Sequence, residues 1–222
     1  MQSFTTPAPV TAVLALPAAR VRLVAADRPD TTVEVRPATA GRSRDEQAAE
    51  RTAVSCADGV LRIEAPGAGH RSLGPSGAVE VTVHLPAGSH VETAAACGAL
   101  HAEGRLGDVV VEGALGPVDL AEAASARITL QDGAITIGRL AGDGELTTQR
   151  GDLTVVQAVA GTLTLRTRQG DITVGAAPGT SATLDARTGH GRVADSLKNT
   201  GGTPALAVRA DTSQGDIAAR GL

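Results

Sequence analysis

The sequence predicts an all-β protein: a β-solenoid, of the single-stranded β-helix type, whose coils of about 18 residues each carry two short strands stacked in parallel from coil to coil. Three observations lead there. A five-residue phrase recurs from residue 98 to the C-terminus. Glycine is abundant, at 27 of 222 residues. Large aromatic side chains are nearly absent, with no Trp, no Tyr and one Phe, Phe4. A core of this length normally leans on buried aromatics, whereas a narrow coil can be filled by Val, Ile, Leu and Ala.

The phrase is Gly, a small or acidic residue, an aliphatic, Thr or a similar residue, and a second aliphatic. It begins at Gly98, Gly116, Gly133, Gly151 and Gly170, with weaker copies at Gly191 and Gly215. Its first aliphatic falls at Leu100, Val118, Ile135, Leu153, Ile172, Val193 and Ile217, in steps of 18, 17, 18, 19, 21 and 24. Between successive copies lies a second apolar start, at Val109, Ile128, Leu146, Leu163, Ala182 and Leu206. One such unit cannot bury its apolar side, but stacked units can. The glycine at the head of each phrase turns a corner, where a positive φ is needed. Ile135, Leu153, Leu163 and Ile172 are the predicted core. Thr136, Thr154 and Thr173 are predicted to share one outward register, and Thr129, Thr147, Thr164 and Thr183 another. The last phrase, from Gly215, is predicted to end the stack, with a second copy covering the open edge at Ile217.

Residues 1–97 are strand-rich without the 18-residue beat. Period-2 alternation predicts strands at Thr11–Leu16, Arg20–Ala25, Thr31–Arg36, Gly59–Ala65 and Ala78–Leu85. In the last of these, Val79, Val81, Val83 and Leu85 point inward and Glu80, Thr82 and His84 outward. The two phrases Leu16–Val21 and Leu85–Val91 share Leu-Pro-Ala and suggest an older duplication. This half is expected to continue the stack or to cap its end. Ser43–Arg51 reads as a helix, with Ser43 as N-cap and Glu46 three residues on, and residues 66–76 read as a Gly/Pro loop. Both are insertions on the solenoid's side. The organisation is therefore one domain, 1–222, with an irregular part at 1–97 and regular coils at 98–222.

Net charge is −4 with a pI of about 5.7, and Lys198 is the one lysine against nineteen arginines. No basic footprint for nucleic acid or for an anionic membrane appears, and base stacking has no aromatics to use. No apolar run approaches the length of a membrane span, so no membrane insertion is expected. No leader is visible at Met1–Pro7, which predicts a cytoplasmic protein, surface-associated only after removal of a leader. Cys56 and Cys97 read as unpaired small hydrophobes in a reducing compartment.

The opening Phe4–Val10, the strand His84–Val91 and the repeated Gly-Asp-Ile-Thr-Val phrase resemble a bacterial β-strand-repeat family of adhesin-like proteins, a domain of unknown function. Arg28–Pro37, Asp58–Pro66 and Leu73–Val83 are similar to its actinobacterial branch. The resemblance spans nearly the whole chain. It implies the repeat architecture and says little about activity, since the family is a domain of unknown function.

Chemistry-bearing residues are few. His84, His90 and His101 could approach one another, yet no spacing signature for zinc accompanies them. Asp152, Asp171 and Asp216 follow corner glycines and could stack, but Ala134 and Arg192 break the column, and such Asp side chains commonly serve turn backbones. The outward positions of the regular coils read as mostly Thr, with no paired carboxylates on successive coils and no nucleophile motif. No catalytic, cofactor or metal residues are assigned and no cofactor is expected. The reading is a non-catalytic interaction or scaffold module whose partner is a protein, or a second copy through a solenoid end or face. A self-polymerising filament and a carbohydrate-active enzyme are the alternatives.

Overall fold

A computed structural model describes residues 1–65, 77–199, 201 and 203–222, with side chains left out at 94–97 and 114. The loop read at 66–76, with His70, lies outside the described residues, and so does the Cys97 side chain. The chain divides into two compact units, Met1–Gly116 and Pro117–Leu222.

The first unit holds β1 (Gln2–Thr5), β2 (Thr11–Ala15), β3 (Ala19–Ala26), β4 (Asp30–Pro37), α1 (Ser43–Arg51), β5 (Ala53–Ala57), β6 (Val60–Glu64), β7 (Val79–Pro86), β8 (His90–Cys97) and β9 (Leu100–Leu115). All five strands predicted from alternation are present within a residue or two; β1 and β5, short and weakly apolar, gave no such signal. In β7 the four inward side chains are at most 1% exposed, while Glu80, Thr82 and His84 are half-buried. Parallel ladders build two walls. One stacks β6, β2, β8 and the second half of β9, and the other stacks β7, β3 and the first half of β9. The first coil of the sequence, β2–β3, thus sits inside the stack, between β6–β7 and β8–β9. The outer side of β6–β7 is closed by antiparallel strands, β5 on β6 and β4 on β7, with β1 on β4. Within the first unit, residues 1–97 therefore both add coils to the stack and cap it.

The two Leu-Pro-Ala phrases are not equivalent in space. Leu16–Val21 joins β2 to β3 and Leu85–Val91 joins β7 to β8, so they turn opposite corners of the coil. Helix α1 has the predicted span, but its N-cap is Arg42, without a side-chain cap. Ser43 is the first helical residue. The Glu46 carboxylate accepts a hydrogen bond from the Gly41 N–H at 3.1 Å, beyond the cap position. Asp45, 2% exposed, accepts from the Ala78 N–H at 3.0 Å and so ties the first turn of the helix to the start of β7.

The second unit holds β10 (Val118–Asp132), β11 (Ile135–Leu140), β12 (Gly144–Arg150), β13 (Leu153–Ala158), β14 (Gly161–Gln169), β15 (Ile172–Ala176), β16 (Ala182–His190), β17 (Val193–Ser196), β18 (Leu206–Gln214) and β19 (Ile217–Gly221). The first wall runs β10, β11, β13, β15, β19, β17, and the second runs β10, β12, β14, β18, β16, every pairing parallel. The long β10 serves both walls. Inward side chains of the two walls share one core: a methyl added at Gly144 would meet Leu163 of the second wall at 2.6 Å and Leu140 of the first at 2.7 Å. Ile135, Leu153, Leu163 and Ile172 are all 0% exposed, as predicted.

Two expectations are corrected here. The chain's last coil, β18–β19, is not the end of the stack. It is inserted between β14–β15 and β16–β17, so Ile217 pairs with Ile172 on one side and Val193 on the other and is 1% exposed. The outermost coil is β16–β17. Side chains explain this order. Leu206, Val208, Ala210, Ile217 and Ala219 are all at most 4% exposed, whereas β17 offers Val193 and Asp195 at the same inward positions. Burying the more apolar coil is favoured by about 25 cal/mol per Å² of apolar surface, and an unpaired buried carboxylate is avoided. The second correction is register. Thr147 pairs with Arg166 rather than Thr164, and Leu146 with Leu165 rather than Leu163. A two-residue slip leaves each side chain on its own face, so alternation cannot detect it.

Corners are held by a side-chain ladder. The Asp152 carboxylate accepts from the Asp171 N–H at 2.8 Å, Asp171 from the Asp216 N–H at 2.7 Å, and Asp216 from the Arg192 N–H at 2.8 Å. The three Asp do serve turn backbones, but those of the adjacent coil. Asp171→Ala is therefore expected to cost about 1 kcal/mol, and Asp171→Asn, which keeps an acceptor, less. Chemical denaturation of the two variants checks this, and equal losses would overturn the ladder reading.

Candidate functional site

The outer face of β14, β18 and β16 carries charged side chains of both signs. Residues two apart on a strand share a face, and parallel pairing then lines up equivalent positions of successive coils. One row reads Arg127, Glu145, Thr164, Arg209 and Asp185, and the next Thr129, Thr147, Arg166, Asp211 and Arg187. Thr164, Arg166, Asp185, Arg187, Arg209 and Asp211 line a shallow depression of about 180 Å³. Within it Arg187 Nε lies 3.9 Å from Asp185 Oδ1, both side chains well exposed.

The insertion of β18 creates this pattern. Without it Arg187 would stand beside Arg166; with it Asp211 lies between them in register, and Arg209 lies beside Asp185. The outward positions are thus charged here rather than mostly Thr. Each of these charges is outward on its own strand, but which charges adjoin depends on the order of the coils, and β14, β18, β16 is not the order of the sequence. The other predicted Thr column holds: Thr136, Thr154 and Thr173 pair in register on the first wall.

A second set of threonines lies at the corners. Thr148, Thr167, Thr212 and Thr188 point inward and donate to the carbonyls of Gly133, Gly151, Gly170 and Gly215 at 2.9–3.2 Å. Each precedes a corner glycine by three residues, so a Thr-x-x-Gly signature was present in the sequence. Their bonds satisfy corner carbonyls that face the core side, which makes them structural.

The first unit also carries outward charge. Arg20 pairs with Glu80 at 2.8 Å and Arg22 with Glu103 at 2.7 Å, across neighbouring coils. Arg28 holds both oxygens of Asp30 at 2.8 and 3.0 Å. The hydrogen bond from Arg28 keeps the Asp30 carboxyl below its ordinary range, and that from Arg22, with His101 nearby, does the same for Glu103. Such exposed pairs contribute little to stability but fix side-chain positions. The three histidines do not converge. His84 lies on the outer face of β7. His90 Nδ1 accepts from the Asp108 N–H at 2.9 Å at the entry to β8. His101 Nε2 lies 3.4 Å from Glu103. Among the described residues no three His, Cys, Asp or Glu side chains are placed to hold a metal ion, and no helix is long and apolar enough to cross a membrane. Cys56 carries a free thiol whose pKa is raised by burial.

Three solved structures align over nearly the whole chain. A candidate cell adhesion protein of Clostridium sporogenes shares 12% identity over 100% of this chain and 98% of its own, with a TM-score of 0.40. A candidate adhesin of Bacteroides fragilis shares 13% over 98% and 95%, with a TM-score of 0.47. One of Parabacteroides distasonis shares 14% over 98% and 95%, with a TM-score of 0.45. No curated protein matches the chain in sequence. The family described as Toastrack DUF4097 matches residues 76–220. That stretch holds the last coils of the first unit and all but the final two residues of the second, and the chain belongs to the Toastrack DUF4097 family.

Proposed function

We propose that the chain is a non-catalytic interaction module that presents the outer face of β14, β18 and β16 to a protein partner. The observation that carries this is the pair of rows in which Arg166, Arg187 and Arg209 alternate with Asp185 and Asp211 around one depression. Charges of both signs at fixed spacing suit recognition. Complementary charge steers encounter and rejects wrong partners, and a rigid backbone lowers the cost of ordering side chains on binding. Ladder-bonded strands supply that rigidity. The module would work as a scaffold, with the coils holding the charges in place and the partner reading them.

The test is affinity capture from the source organism with the full chain and with an Arg166→Glu/Arg209→Glu variant. Both side chains are exposed, so the variant is expected to fold, which circular dichroism checks. A protein retained by the unaltered chain and lost from the variant supports the reading. Retention of the same proteins by both overturns it.

A further inference from the structure

We propose that two copies of the chain join edge to edge along β16, antiparallel, about a two-fold axis through Ala186. The proposal rests on the strand edge and is independent of what the adjoining face binds.

The first argument is an open edge. β16 is the outermost strand of its wall and pairs with β18 on one side. Apart from Ala182, whose N–H donates to the Lys198 carbonyl at 3.0 Å, no strand pairs with its other side among the described residues. The rest of this nine-residue strand is a template for another strand. The fold itself shows what such an edge accepts. In the first unit the outermost parallel coil, β6–β7, is closed by antiparallel β5 and β4.

The second argument identifies the occupant. Antiparallel pairing about Ala186 sets Asp185 opposite the partner's Arg187, and Arg187 opposite the partner's Asp185. The charge order of β16 is therefore complementary to itself. The match extends beyond the edge strand, because Arg209 flanks Asp185 and Asp211 flanks Arg187. Across the joint one row reads Arg209, Asp185, the partner's Arg187, the partner's Asp211, and the other row is its mirror. Signs alternate throughout both. In the monomer Asp185 and Arg187 meet only loosely, at 3.9 Å along one strand, whereas directly opposed residues in an antiparallel pair come closer. On the inner face Ala186 meets the partner's Ala186, and half-buried Leu184 is covered by the partner's Thr188.

The contact stops at two copies. An isologous joint uses the same edge on both partners, so none is left to propagate. The neighbouring edge, β17, is blunted: Asp195 occupies an inward register beside Ala219, and its carboxylate accepts from the Leu197 N–H at 2.9 Å. An inward charge at an edge discourages strand pairing, which confines the joint to β16.

Sedimentation velocity of the full chain over micromolar to sub-millimolar concentration tests this. A reversible monomer–dimer equilibrium is expected. Arg187→Asp places carboxylates opposite each other at both symmetric positions and should raise the dimer dissociation constant about tenfold or more. The double exchange Asp185→Arg/Arg187→Asp rebuilds the alternation at the joint and should restore dimerisation. Arg127→Asp, on the same face but away from the edge, should leave it unchanged. Should Arg187→Asp fold poorly, Arg187→Gln removes the attraction without adding repulsion and should show a smaller weakening. A strict monomer at every concentration, fibres in place of dimers, a single variant that dimerises as well as the unaltered chain, or a folded double exchange that stays monomeric would each overturn the proposal. The partner-capture variant alters Arg166 and Arg209 but leaves the directly opposed Asp185 and Arg187 in place, whereas the dimer variants alter that opposed pair and leave Arg166 in place, so either idea can fail without the other.

Discussion

Replacing Gly170 by Ala is expected to destabilise the second unit by about 3–5 kcal/mol, the sum of a strained backbone and an overpacked contact. Gly170 has φ +152°, a conformation that residues with a Cβ rarely adopt. A Cβ there would also drive into the carbonyl oxygen of Gly151 on the adjacent coil. Neither atom can yield, because Gly170 donates its own N–H to the Gln214 carbonyl at 2.9 Å, and Gly151 O accepts from buried Thr167 at 3.1 Å. Gly179 supplies the control. Its φ is +79°, but a methyl added there would have no atom within 4 Å, so Gly179→Ala should cost about 1 kcal/mol from strain. Urea denaturation of the two variants separates the terms. Equal losses would mean that close stacking of corner glycines is not what demands glycine at the head of the phrase.

Leu153→Ala is expected to cost about 2–5 kcal/mol. Leu153 is 0% exposed and lies in register between Ile135 and Ile172. Neighbouring coils hold both columns at ladder spacing, so the cavity cannot collapse, which favours the upper part of that range. Thr154, next in sequence, faces outward between Thr136 and Thr173, and Thr154→Ala should change stability by about 0.5 kcal/mol or less. The contrast between adjacent positions is the measurement, and similar losses at both would contradict the inside–outside assignment of β13.

The corner-glycine column shows how far local sequence carries. Gly151 and Gly170 are recognisable as turn residues from the phrase they open, and a positive φ is the local reason for glycine there. The stronger reason, contact with the carbonyl of the adjacent coil, depends on which coil lies beside which. The Asp152, Asp171 and Asp216 column is similar: the residues were picked out by position, but the N–H groups they serve belong to other coils. The charged rows on β14, β18 and β16 were not legible in the same way. Arg166 and Arg187 would repel as direct neighbours, and Asp211, remote in sequence, is what lies between them.

The sequence by itself determined most of the strands, though not β1 or β5, together with the side of each that is buried and the places where the chain turns. Those properties follow from period-2 alternation and from glycine's access to positive φ, and both act within a few residues. Tertiary structure decided the order of the coils and the register between them. Backbone ladders form equally well between any two parallel strands, and a slip of two residues keeps every face intact. The choice then falls to side chains that meet across coils. The apolar coil β18–β19 goes inside, the coil bearing Asp195 goes to the end, and Asp211 goes between two arginines, which is the arrangement that creates both the charged face and the open edge at β16.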